Sequence, residues 1–433
     1  MLNRRWIPVA AALLAALLGT AACGTAATTA TATGAKAAPV TISAMFWDTG
    51  FGLKNDEQPF AVFEKDHPNV KVSFTDVPAH MNTKLLTEFA TGTAPDTFEV
   101  GDTNAAVYVH DGAMLNLDPY IRQSNFNTAQ FIAGVGQTGM INGKYYYFTK
   151  NWATEAIMYN KALFRAAHIP YPKAGWTWQQ FYNDAKALTK TSGGRRVQWG
   201  VELNGTWLRG LEPLIYQGGG SFLNKNGTSA KGHLDSTQTI NAMRYYISFY
   251  RNHLTPSPTT LASLPGVDLF ATGKVAMDWT GPWSINTWTS DKNLHFGVVP
   301  LPRGPAGYAD SICWAGFGIY SKSKHPHSTW EALQVLGGPV GQKIFAAEGF
   351  PAIASVAKSL HMTTNPYYAP FFAQTKYLHP LAPLKTIYWT RDVVPPLQSA
   401  INAMIRGAPV AKTMRQTTAT IDAKLQASLS HAG

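Results

Sequence analysis

Disulfides do not organise this chain: its 433 residues contain two cysteines, Cys23 and Cys313, so at most one bridge could form. Stability must come from burying apolar surface, which a chain of this length can do. Charged side chains are also few, 14% of the total, and they do not cluster. Lys and Arg outnumber Asp and Glu by 36 to 25, yet the densest basic runs are Arg195-Arg196 and Lys322 to His325. Nucleic-acid binding wants a basic stripe or a recognisable module, and neither is present. A dispersed positive surface suits proximity to anionic lipid instead. Catalytic signatures are missing as well: there is no G-x-S-x-G elbow, no H-E-x-x-H, no Walker-type phosphate loop and no C-x-x-C pair. His325-Pro326-His327 lies in a Lys-rich loop with no visible third ligand, so neither a metal nor another cofactor is expected.

Long apolar runs are absent after the first residues. Arg4 and Arg5 precede the apolar run Trp6 to Leu18, which is followed by Gly19-Thr20-Ala21-Ala22 and Cys23. A membrane-spanning helix needs roughly 20 apolar residues to cross about 30 Å, and this run is shorter. It reads as a secretory signal over 1–22. Small residues directly before a cysteine resemble the lipobox of bacterial lipoproteins, although Thr20 stands where that motif usually has Leu. The resemblance makes Cys23 an acylated membrane anchor; ordinary signal cleavage near Ala22 is the alternative. Acylation of Cys23 leaves Cys313 unpaired, between Ile312 and Trp314, where it is expected as a small buried apolar residue. Residues 23–38 are almost all small and uncharged, cannot bury enough apolar surface to fold, and read as a flexible tether.

From Val40 onward the pattern alternates between strand and helix, and the remaining length exceeds the roughly 250–300 residues that one core serves. Strands are expected over Val40 to Trp47, Val70 to Phe74 and Asp96 to Val100, with helices over Gln58 to His67 and His80 to Thr91 between them. Asp235-Ser236 can cap a helix carrying Ile240, Met243, Ile247, Tyr250 and Leu254 at helical spacing. Phe270 to Met277 leads from a helix through Gly273 into a short strand, and Pro282 opens the following helix. The last two helices are expected over Leu397 to Arg406 and Val410 to Leu429.

Seven segments in order now carry a resemblance: "FEKDHPNVKV" at 63–72, "ATGTAPDTF" at 90–98, "GAMLNL" at 112–117, "MYNK" at 158–161, "TWQQF" at 177–181, "FATGKVAM" at 270–277 with Gly281-Pro282-Trp283, and "VPLP" at 299–302. Together they resemble the family 1 extracellular solute-binding proteins of ABC sugar importers, the group that includes maltose-binding protein. The resemblance implies an α/β, two-lobed periplasmic-binding-protein-like fold of type II, each lobe a sheet flanked by helices, with the ligand cleft at the hinge. Lobe one is expected as 39–150 plus 303–352, lobe two as 151–302 plus 353–433. The implied partners are a carbohydrate, the ABC permease subunits and, through Cys23, the membrane; a monomer is expected.

Ligands in open α/β sheets gather at the C-terminal edges of strands, which selects the candidate residues. Trp283 matches the tryptophan that stacks on sugar in maltose-binding proteins, and one face of a pyranose is apolar enough for that contact. Trp279 stays open between cleft and core, and Trp288 is expected in the core. Trp47 and Asp48 follow the first strand, Asp102 follows the third, and Trp152 precedes the first crossing between lobes. Trp207 and Tyr216 fall in the family's second-lobe binding segment, and Trp314 follows the return crossing. Glu57, Asp102 and Asp278 are candidate carboxylate acceptors for sugar hydroxyls, with a solvated surface or a helix cap as the alternative. A secreted glycoside hydrolase, with two of Glu155, Glu202, Glu212 and Asp278 as its acids, is the enzyme alternative, and a cell-surface carbohydrate-binding protein is the third.

Overall fold

A computed structural model describes residues 39–431 apart from Thr49, 204–207 and Pro380. The expected signal, tether and Cys23 lie outside the described residues, and so does Trp207. Among the described residues no helix is long and apolar enough to cross a membrane.

The chain opens with β1 (Val40–Phe46), α1 (Phe51–Asp66), β2 (Val70–Asp76), α2 (Met81–Thr91) and β3 (Thr97–Gly101). It continues with β4 (Tyr147–Ala153), β5 (Ala156–Asn160), α3 (Trp178–Leu188) and α4 (Thr237–Arg251). After these come β6 (Met277–Thr280), α5 (Ile285–Ser290), β7 (Phe296–Pro300), β8 (Cys313–Ile319), α6 (Pro326–Gly337) and α7 (Pro339–Phe345). The C-terminal pair is α8 (Val394–Ile405) and α9 (Val410–His431).

Two sheets organise these elements. The larger runs β2-β1-β3-β8-β4, with β1 parallel to β2 and β3, and β8 antiparallel to β3 and β4. The smaller is β6-β5-β7, antiparallel throughout. The chain leaves the first sheet after Ala153 and enters the second at Ala156, then returns between Pro300 and Cys313. Each sheet has an apolar cluster beside it, and a third cluster containing Met45, Phe98, Met158 and Phe296 draws on both. Phe46, Phe60, Phe63, Phe317, Leu333 and Phe345 pack beside the larger sheet, while Ile157, Phe181, Ile215, Met243, Ile247 and Leu397 pack beside the smaller. Helices cover these sheets because strands such as β5, buried along its whole length, have no solvent face to offer.

Local chemistry sets the helix starts. The Thr177 side chain accepts from the Gln180 amide while Gln180 returns a bond to the Thr177 amide, a reciprocal cap that opens α3. Ser236 accepts from the Thr239 amide at the start of α4, as the sequence leads one to expect. Helix α1 begins at Phe51, not Gln58, and carries Pro59 in its interior. Proline is most at home in a first helical turn, yet Pro59 lies well inside this helix. Residues 269–273 form turns rather than the expected helix, ending at Gly273 with φ 69°. Pro282 opens a short 3-10 turn, from which α5 continues. Cys313 is half-buried, and its thiol donates to the Ala153 carbonyl at the return crossing.

Candidate functional site

Trp283 is the one exposed tryptophan among the described residues, with 48% of its surface open. It follows β6 in the turn Gly281-Pro282-Trp283, and its indole Nε1 donates to Thr280 Oγ1 at 3.0 Å. The ring folds back over its own backbone: a Cβ added at Gly281 would stand 2.2 Å from the ring. Glycine is needed there for space, since Gly281 has an ordinary negative φ. The Gly-Pro-Trp order therefore aims an aromatic face outward from a strand end.

That face borders a cavity of about 240 Å³, closed on the other sides by Glu348, Gly349, Phe350, Met362, Asn286 and Tyr368. The Tyr368 hydroxyl bonds the Asn286 amide oxygen at 2.7 Å and braces one wall. Drug-sized ligands occupy pockets of roughly 300–1,000 Å³, so anything longer than a small ring would extend out of this one. A larger cavity of about 680 Å³ lies between Trp178, Tyr182, Tyr245 and Arg303. It contains none of the candidate residues, and Trp178 stacks there on Tyr245 at 4.3 Å and 5°. The smaller cavity is the better candidate because its tryptophan is exposed and Glu348, an acidic residue, lines the same space.

That carboxylate, Glu348, connects the cavity to a buried ionic cluster. Lys150 on β4 is 1% exposed at its side chain and meets Glu348 at 3.0 Å, Asp48 at 2.5 Å, Asp56 at 2.5 Å and Glu99 at 3.1 Å. Burial pushes the Asp56 carboxyl up to about 9, with the Glu99 charge adding to the effect and Lys150 opposing it. Burial likewise pushes Glu99 up to about 7 against the pull of Lys150. Burial acts to lower the Lys150 ammonium, but Glu99, Asp56, Asp48 and Glu348 together hold it well above its ordinary value. Asp48, Asp56 and Glu99 have the spacing of a cation site. The Lys150 ammonium already sits among them.

These raised carboxyls set the sign of a pH response. Unfolded Asp and Glu lose their protons near pH 4, whereas folded Asp56 and Glu99 keep theirs to about 9 and about 7. The native state thus binds more protons over that interval, and stability falls as pH rises through it. We expect the urea midpoint to drop between about pH 5 and pH 8, and Glu99→Gln to shrink that drop. A fall of the same size in the variant would remove Glu99 as a source. Asp278 and Asp310, also pushed well up by burial, act in the same direction.

The structure distributes the other candidates widely. Asp48 is half-buried in the Lys150 cluster, and the neighbouring Trp47 amide donates to Glu99 Oε2 at 3.3 Å. Three tryptophans expected at or near the cleft are core residues. Trp152 is 1% exposed, packs between Phe350 and Phe372, and donates to the Pro351 carbonyl. Trp279 is 2% exposed, lies edge-on to Phe181, and donates to Glu155 Oε2 at 2.6 Å. Trp314 is buried and stacks on Tyr147 at 4.4 Å. Their rings are committed to protein neighbours, which leaves no face for a ligand. Asp102 is buried and accepts from the Trp314 amide, joining β3 to β8. Tyr216 stacks on His379 at 4.7 Å. Asp278 pairs across β6 with Met158, and its carboxyl is pushed well up by burial and by Glu202, Asp268 and Glu155. Glu57 is half-buried on α1 and forms no ion pair among the described residues. Trp288 is in the core as expected, donating to Asp268. Sequence reasoning missed Glu348, Tyr368, Asn286 and Lys150. Only Lys150 carries a signal, as a single cation within the aromatic run Tyr145 to Trp152.

Two sheets are joined by two crossings of the chain, and an exposed tryptophan follows a strand of the smaller one. Residues 52–343 match the family described as bacterial extracellular solute-binding protein, and the chain belongs to that family. It is 28% identical over 334 residues to a protein of Brucella abortus named as a binding protein, covering 73% of this chain and 77% of that one. Its fold is similar to that of an ABC substrate-binding protein of Listeria monocytogenes solved with cycloalternan. That match has TM-score 0.78 and 23% identity, over 90% of this chain and 99% of the other. The sugar-binding protein MalE of Xanthomonas citri superposes with TM-score 0.76 and 22% identity, over 89% and 97%.

Proposed function

We propose that this protein captures a carbohydrate in the cleft between its two lobes and delivers it to an ABC permease, without catalysing a reaction. The carrying observation is the exposed Trp283 ring bordering a cavity that the acidic residue Glu348 also lines. A sugar presents an apolar C–H face to an aromatic ring and hydroxyl donors to a carboxylate, and this pairing offers both. The sugar complexes of the structural neighbours support the same ligand class. The lobes are 39–150 plus 303–352 and 151–302 plus 353–433, a division supported by the crossings at 153–156 and 300–313. Ligand bound between lobes favours closure because only the closed form completes its contacts. Acylated Cys23 holds the protein at the outer face of the membrane, where cargo can pass to the permease; recovery in the membrane fraction tests that anchor.

The function is tested by thermal unfolding against glucose, mannose, maltose, maltotriose, mannotriose and chitobiose. A ligand at 100 times its dissociation constant adds about 2.7 kcal/mol, which raises the midpoint by a few degrees. A shift with the sugar recovered intact supports capture. Cleavage of the sugar would turn the reading toward a hydrolase, and no shift from any of the six would remove the carbohydrate assignment.

A further inference from the structure

Four carboxylates converge on Lys150 from four separate places in the chain: the end of β1, helix α1, strand β3 and the loop after α7. An ammonium has three N–H donors, so it cannot satisfy four acceptors at once. The four divide by exposure. The side chains of Asp56 and Glu99 are wholly enclosed, whereas Asp48 and Glu348 keep 30% and 14% of theirs open. The inner pair holds protons most readily, Asp56 up to about 9 and Glu99 up to about 7. The outer pair is the side of the cluster that meets solvent. Of these, Glu348 lines the cavity beneath Trp283.

We propose that Lys150 is a positioning residue for ligand capture: without touching the ligand, its ammonium ties Glu348 to Asp48 and so holds Glu348 in place as an acceptor for hydroxyl donors on the cavity that Trp283 borders. Asp48 and Glu348 stand on segments 300 residues apart, and no hydrogen bond between them sets their spacing. One cation bonded to both does. The cation also favours the charged form of Glu348, working against the burial that raises that carboxyl. A carboxylate accepts from hydroxyls with charge-assisted bonds about twice as strong as neutral ones, so losing its charge or its aim costs affinity. The ligand side of this inference rests on the carbohydrate reading; the geometry of the cluster does not.

The test uses Lys150→Met, joined by a triple variant that adds Asp56→Asn and Glu99→Gln. The triple variant removes the buried acid excess should the single substitution fail to fold. The first readout needs no sugar: a carbon-13 NMR titration of the Glu348 side-chain carboxyl, assigned by comparison with Glu348→Gln. Loss of the ammonium moves the Glu348 midpoint upward, and a midpoint that stays in place overturns the proposal. The second readout is calorimetric titration at pH 6 and pH 8 with the six sugars named above. Each sugar that binds the wild type should bind the variant about tenfold or more weakly, with the loss changing between the two pH values. Equal affinities at both pH values in wild type and variant overturn the proposal. A Glu348 shift in a protein that binds none of the six supports the positioning role and overturns the carbohydrate reading.

Discussion

Trp283→Ala weakens sugar binding by about 1–3 kcal/mol, a roughly tenfold to hundredfold rise in Kd, and leaves the unfolding midpoint nearly unchanged. The two halves of this expectation have separate causes. Affinity falls because the ring is the open aromatic surface on the cavity, opposite Glu348 and Phe350. Stability holds because nearly half of the side chain is already in water, so its removal creates no core void. Calorimetric titration read beside urea unfolding separates the two quantities. Gly281→Ala gives an independent reading of the same geometry, since its methyl group would displace the ring without touching the core. A Trp283→Ala protein that binds sugar as tightly as the wild type would take Trp283 out of the site.

Much of the architecture was legible because it rests on local chemistry. Strands β1, β2 and β3 and helix α2 are read from apolar runs punctuated by Pro68, Gly92 and Pro95, and their observed bounds differ by a residue or two. The Gly-Pro-Trp turn was legible for a similar reason, as three consecutive residues contain the whole device. What a sequence could not show is which way a ring faces when both its options are apolar. Trp279 and Trp283 are four positions apart, yet the first ends in the core and the second in the cavity because a strand gives way to a proline turn between them. Glu348 and Tyr368 escaped detection because they reach Trp283 only through the fold, from 65 and 85 residues further along. Lys150 escaped detection in a different way. A cation is normally read as surface, and here the compensating charges come from four distant segments.

The contrast within that short segment yields the largest stability effect expected for this protein. Trp279→Ala should destabilise it by about 3–5 kcal/mol, the range for emptying a large aromatic site in a packed core. The indole is 2% exposed, meets Phe181 at 5.8 Å, and belongs to the same cluster as Ile157, Met277 and Val299. Its N–H bond to Glu155 also ties the second sheet to the segment through which the chain first crosses between lobes. Trp279→Phe retains most of the ring and loses that bond, so its cost should be smaller, on the order of 1–3 kcal/mol. Urea unfolding of both variants measures the order, and sugar titration of the folded fraction should return an affinity close to that of the wild type. Should Trp279→Ala keep the wild-type midpoint and lose affinity instead, its ring would belong with Trp283 in the site, and the packing drawn for the second lobe would have to change.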